Sequence, residues 1–194
     1  MSVLSKMVLR KIVLRCFYAS LLTCGLFFLS AQTPQVREYQ VKAVFLFNFT
    51  QFIEWPLNTF SEATSPMIIG ILGTDPFGPY LDETISKEEV NGHPLVVQRY
   101  GSIEEMKTCH ILFISADEVK KMEQLIPSLK ERSILTVSDA SDFIQEGGMI
   151  RLYTTNNKIH IKINPEAAKN AGLTISSKLL RVAEIFVPKE KKER

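Results

Sequence analysis

The chain is poor in the residues that do most enzyme chemistry. Its 194 residues include three histidines, three cysteines and one tryptophan. His93, His110 and His160 share no metal-ligand spacing, and a lone nearby Cys109 does not complete a zinc set. No serine sits in a G-x-S-x-G elbow, and no glycine-rich run ends in Lys-Ser/Thr. Gly70-Ile-Leu-Gly73-Thr-Asp-Pro-Phe-Gly78 lacks the spacing of a dinucleotide fingerprint and reads most simply as a strand-to-helix turn. No motif calls for a cofactor. A basic excess is also missing, because the formal net charge is only +2.

Even that charge belongs to the N-terminus. Lys6, Arg10, Lys11 and Arg15 precede an acid-free apolar run from Cys16 to Ala31. A positive start, a short apolar stretch and small residues at Ser30–Ala31 describe a secretory signal peptide over residues 1–31. The run is shorter than the roughly 20 residues of a spanning helix. An uncleaved anchor and a lipoprotein cysteine at Cys24 are the alternatives. Removing the leader takes the net charge from +2 to −2, leaving nothing to hold nucleic acid. It also removes Cys16 and Cys24, so Cys109 has no intramolecular partner in an oxidising compartment. Within CHILFIS it reads as a small buried hydrophobe, with an intermolecular bond as the alternative.

The mature chain suits one domain, expected over residues 36–187, followed by a charged tail at 188–194. Strand-like and helix-like segments alternate. Met67–Gly73, Pro94–Tyr100, His110–Ser115 and Ile134–Ser138 are continuous or nearly continuous apolar strands. Asp75–Pro76 reads as a helix cap, and Ser102-x-x-Glu105 and Ser115-x-x-Glu118 as capping boxes. The second box opens a helix carrying Val119, Met122, Ile126 and Leu129. The pattern predicts a three-layer α/β fold with a mainly parallel sheet flanked by helices. Met149–Thr155 and Lys158–Ile163 flank Asn156–Asn157, predicting an antiparallel hairpin at the sheet edge. A two-residue turn there pairs Thr154 with Ile159, Leu152 with Ile161 and Ile150 with Ile163 on one face. Tyr153–His160 and Arg151–Lys162 fall on the other. Asn164–Pro165 caps a helix ending near Gly172. A last helix starts at Ser176 or Ser177 and packs through Leu179, Val182, Ala183 and Phe186.

The richest stretch is EYQVKAVFLFNFTQFIEWP, residues 38–56. Phe45, Leu46, Phe49, Phe52 and Ile53 follow helical spacing, and Val41, Val44 and Phe47 form a second apolar row. A helix apolar on two sides needs covering on two sides, by its own domain or by a partner. Glu38, Tyr39, Lys42, Phe45, Phe47, Asn48 and Trp55 are therefore candidate partner-binding or dimer residues. The Glu38–Lys42 pair, four apart, reads as a solvated surface pair contributing about 0.2–0.5 kcal/mol. Trp55 reads either as a seal on the sheet's end or as an exposed anchor. Ligands in open α/β sheets bind beyond the carboxyl ends of parallel strands. Thr74, Asp75, Ser115, Ser138 and Asp139, with Phe77 as a hydrophobic anchor, form a candidate ligand crevice there. Helix capping is the competing role for the polar five.

Six segments in this order resemble the YfiR family: residues 38–56, 69–78 (IGILGTDPFG), 109–115, 134–139 (ILTVSD), 147–164 (GGMIRLYTTNNKIHIKIN) and 171–180 (AGLTISSKLL). The resemblance implies a dimeric, non-enzymatic periplasmic regulator. Such a regulator represses an inner-membrane diguanylate cyclase through that enzyme's periplasmic domain and is itself sequestered by an outer-membrane lipoprotein. The family's cysteine pairs are not matched here, because only Cys109 survives maturation, so no intramolecular redox bridge is expected. A periplasmic small-molecule sensor and, more remotely, a hydrolase using Ser115 or Ser138 with Asp139 are the alternative functions.

Overall fold

A computed structural model describes residues 34–129 and 132–188. The expected signal segment, with Cys16 and Cys24, and residues 189–194 of the charged tail lie outside the described residues.

Helix α1 (Pro34–Phe52) runs straight into a two-residue strand β1 (Ile53–Glu54). It ends before the proline, because Ile53 and Glu54 pair with Ile175 and Thr174 of β9 (Thr174–Ile175). The main sheet holds β2 (Met67–Leu72), β3 (Glu89–Val90), β4 (His93–Tyr100), β5 (Ile111–Ile114), β6 (Leu135–Ser138), β7 (Ile150–Thr155), β8 (Lys158–Ile163) and β10 (Glu184–Ile185). Their order is β10-β8-β7-β6-β5-β2-β4-β3. The five strands β7, β6, β5, β2 and β4 are mutually parallel. The chain winds outward in both directions from β2, so the topological switch point lies between β2 and β5.

Burial explains the continuous apolar strands. All six residues of β2 and all four of β5 and β6 are buried, because helices cover both faces. One face carries Ile69, Ile71, Ile111, Phe113, Leu135 and Val137 against α1, α2 (Pro79–Ile85), α5 (Pro165–Asn170) and α6 (Ser177–Val182). The other carries Leu112 and Ile114 against Val119, Met122, Leu125 and Leu129 of α3 (Ala116–Val119) and α4 (Met122–Leu129). Each such buried side chain contributes about 1.5–3 kcal/mol of transfer free energy. The fold is thus the mainly parallel, three-layer α/β architecture with its antiparallel hairpin.

The hairpin register is as its sequence implies, with Ile150, Leu152 and Thr154 opposite Ile163, Ile161 and Ile159. Asn156 and Asn157 both adopt positive φ, 52° and 57°. The hairpin is not the last element at that edge, since β10 adds two parallel residues outside β8.

Several local expectations differ from the structure. Asp75 does not cap a helix starting at Pro76; α2 begins at Pro79, and Asp75 instead accepts from the Phe77 and Gly78 amides. Neither Ser102 nor Ser115 makes a side-chain cap bond. The helix expected after Ser115 is split into α3 and α4, with Leu125 more deeply buried than Ile126. The last helix ends at Val182, which is exposed, so its packing rests on Leu179 with Leu180 and Ala183.

Candidate functional site

Helix α1 presents two different faces. Lys42, Ala43, Leu46, Phe49 and Thr50 face the core and are buried. Opposite them, Val41 and Val44 are 44% and 45% exposed. Phe45, Asn48 and Phe52 are half-buried on the same arc, following i, i+4, i+7 and i+11 spacing from Val41. Phe47 and Trp55 are half-buried, and they pack against the core, as Phe45 and Phe52 also do along one side. The second apolar row therefore splits: Phe47 turns inward, while the two valines stay bare.

The Glu38–Lys42 pair is not the solvated pair its spacing suggests. Lys42 is 2% exposed, and its ammonium lies 2.6 Å from Glu38 Oε1 and 2.6 Å from Asp139 Oδ2. The Tyr39 hydroxyl donates to the same Asp139 oxygen at 2.7 Å, and Lys42 also lies over the Tyr39 ring. Burial, reinforced by the Asp139 bond, pushes the Tyr39 phenol well above its ordinary range. Phe77 is fully buried between the Tyr39 and Phe113 rings, at centroid distances of 5.6 and 4.8 Å. Residues from two separate expectations, the α1 set and the crevice set, thus join in one cluster that plugs α1 onto the carboxyl end of β6.

The remaining crevice residues are engaged internally. The Thr74 hydroxyl donates to Asp117 at 3.0 Å. The buried Ser115 hydroxyl lies between the Leu72 carbonyl, at 2.9 Å, and the Asp117 carboxylate. The Ser115 and Thr74 hydroxyls hold Asp117 below the usual carboxylate range. Asp75 pairs with the Arg99 guanidinium at 2.7 Å, which also grips Asp82. The Arg99 hydrogen bond depresses the Asp82 carboxyl. Ser138 is fully buried and accepts from the Ala140 amide. None of the three described cavities is lined by Thr74, Asp75, Phe77, Ser115, Ser138 or Asp139.

Two of those cavities sit at the opposite, amino end of the strands. One of about 470 Å³ is lined by Trp55, Phe60, Met67 and His93 among others. Phe60 stacks on His93 at 3.8 Å and on His110 at 4.5 Å, and Trp55 meets His110 edge-on at 6.4 Å. Trp55 therefore closes the amino end of the sheet. His110 is buried and accepts from the Ile68 amide through Nδ1 at 2.9 Å. Desolvation drives its pKa down to about 4. His110 Nε2 and Trp55 Nε1 are buried without a partner among the described residues, each such orphan costing about 1–3 kcal/mol. Nothing in the sequence marked His110 as special. It opens an apolar strand, and the rule for α/β sheets points to the other end.

Cys109 is a free, buried thiol, raised to about 12 by desolvation. It packs on Gly70, where an added Cβ would lie 2.7 Å from its sulfur. Among the described residues there is no group of three or more His, Cys, Asp or Glu fit to hold a metal, and no helix long and apolar enough to cross a membrane. His93 and His110 sit at the amino end of the sheet and Ser115 and Ser138 at the carboxyl end, so neither of these histidines is placed beside either serine.

The YfiR/HmsC-like family model matches residues 39–184. No curated protein matches the chain. The match spans most of the sequence, and the chain belongs to the YfiR/HmsC-like family, a membership that fits a regulatory protein.

Proposed function

We propose that this YfiR/HmsC-like chain is a periplasmic repressor of an inner-membrane diguanylate cyclase, which it holds inactive by docking rather than by turning over a substrate. The precursor carries a signal peptide over residues 1–31. The mature domain, residues 36–187, precedes a charged tail at 188–194. Its docking face is the outer arc of α1, where Val41, Val44, Phe45, Asn48 and Phe52 are bare or half-covered. That arc is the observation that carries the reading. α1 is locked to the sheet by the buried Lys42–Asp139 pair, so its outer face is rigidly presented. A rigid apolar stripe can bind one state of a membrane partner more tightly than another and so shift its population. The mature chain works as a homodimer, and an outer-membrane lipoprotein that competes for it relieves repression.

The test pairs genetics with binding. Deleting the gene should raise cyclic di-GMP, and the mature protein should bind the periplasmic domain of the cyclase. A Val41→Glu, Val44→Glu variant should keep its melting temperature, since both side chains are exposed, yet lose binding and fail to complement. Unchanged cyclic di-GMP on deletion, or full repression by the double variant, would sink this assignment.

A further inference from the structure

The second cavity at the amino end of the sheet, about 290 Å³, lies where β5 and β6 begin. Its lining is unusual in charge. Lys107 and Arg132 supply two cations, and Thr59, Thr108 and Ser133 supply hydroxyls. No described residue that lines it bears a carboxylate. Arg132 is anchored by an Nη1 bond to the Met106 carbonyl at 3.0 Å, which leaves other guanidinium donors for a ligand.

His110 also lines this cavity. It is 1% exposed, and its Nδ1 accepts a hydrogen bond from Ile68. A ring nitrogen that accepts cannot carry the proton, so in the neutral imidazole Nε2 bears it. That buried N–H has no partner among the described residues. Trp55, whose ring edge packs against the imidazole, holds a second orphaned donor in Nε1. Unpartnered buried donors in native proteins call for an explanation, and a ligand from outside the chain is one. Cations, hydroxyls and a protonated ring nitrogen, with no acid among the described lining residues, complement an acceptor-only group of negative charge.

We infer that this cavity binds a small oxyanion, a carboxylate or phosphate group, gripped by Arg132 and Lys107 with the His110 Nε2–H as an inner donor. The site is separate from the α1 docking face and lies at the end of the sheet away from the crevice that strand topology suggests. Phe60 stacks on His110 and also lines the adjoining cavity, so aromatic surface is at hand for an organic body attached to the anion.

Trp55 is the only tryptophan, so its emission reports on the neighbourhood of His110. The purified mature protein should be titrated in parallel with inorganic phosphate and with succinate, each against sodium chloride at matched ionic strength. A saturable change in emission with at least one probe is expected at millimolar concentration, and which probe acts tells phosphate from carboxylate. Arg132→Gln and Lys107→Gln, both at exposed positions, should each weaken binding by about tenfold or more with an unchanged melting temperature. His110→Phe keeps an aromatic ring against Phe60 and should abolish the response. No saturable change with either probe, an equal change with chloride, or undiminished binding in Arg132→Gln would overturn the assignment. Binding is read on the isolated chain, so its failure is distinguishable from failure of the cyclase assignment.

Discussion

Lys42 shows how one side chain can carry two jobs. Its ammonium is buried between Glu38 and Asp139, with the Tyr39 hydroxyl on the same carboxylate. Breaking such a pair leaves an uncompensated buried charge, which costs about 3–5 kcal/mol. Lys42→Ala should lose that much stability in urea unfolding. It should also lose repression, since the helix bearing Val41 and Val44 is no longer pinned. A Lys42→Ala protein of wild-type stability would show that the pair is dispensable. Gly70 makes a second residue-scale case. A Cβ there would lie 2.7 Å from Cys109 Sγ and 2.8 Å from Tyr100, both buried. Gly70→Ala should therefore destabilise by about 1–3 kcal/mol. The Cys109 thiol, raised to about 12 and sealed, should react with a thiol reagent only at the rate of opening.

Among the elements, the β7–β8 hairpin is the most self-sufficient. Its turn needs positive φ at both central positions, and Asn156 and Asn157 provide it at 52° and 57°. Asparagine pays part of the left-handed cost that glycine avoids. Asn157→Gly should raise stability by a few tenths to about 1 kcal/mol, and Asn157→Val should lower it by about 1 kcal/mol or more. Equal melting temperatures for both variants would mean that the turn does not govern the hairpin. Helix α1 is the opposite case. Its inner face is fixed by Leu46 and Phe49 in the core, and its C-terminus is tied down by the β1–β9 pairing and by the Ser176 amide on the Phe52 carbonyl. On its outer face Phe45 and Phe52 reach back to the core, while Val41 and Val44 remain exposed.

For the whole molecule, the buried His110 sets an acid limit. In the unfolded chain its imidazole titrates near 6.5; in the fold it titrates near 4, with His93 on the far side of Phe60 adding a smaller repulsion. The unfolded state therefore binds more protons between those values, so stability is greatest above about pH 6.5 and falls as pH drops to 4. Up to about 3 kcal/mol is involved. Denaturant midpoints from pH 7 to 4 should fall accordingly, and His110→Phe should flatten that slope. An unchanged slope in the variant would assign the acid sensitivity to other groups. The depressed Asp82, Asp117 and Glu184 are exposed enough that water screens most of their effect.

The alternation of apolar strands with short helices, the hairpin register and the amphipathic demand of α1 are local properties, written in residue spacing of two or near four. They are legible in the chain because each depends only on neighbours within one element. The family resemblance rests on the same local segments. Four things depended on distant residues meeting. Lys42 looked like a surface pair until Asp139, 97 residues away, closed over it. Of the second apolar row, Phe47 packs and Val41 and Val44 do not, because only packing decides which arc of a helix is covered. Thr74, Asp75 and Ser115 spend their polar groups on Asp117, Arg99 and backbone. His110, unremarkable in an apolar run, became a buried imidazole with one donor unmet because Ile68, Trp55 and Phe60 converge on it. Spacing along a chain prescribes which side of an element is apolar; what fills the space facing it is settled only when the other elements arrive.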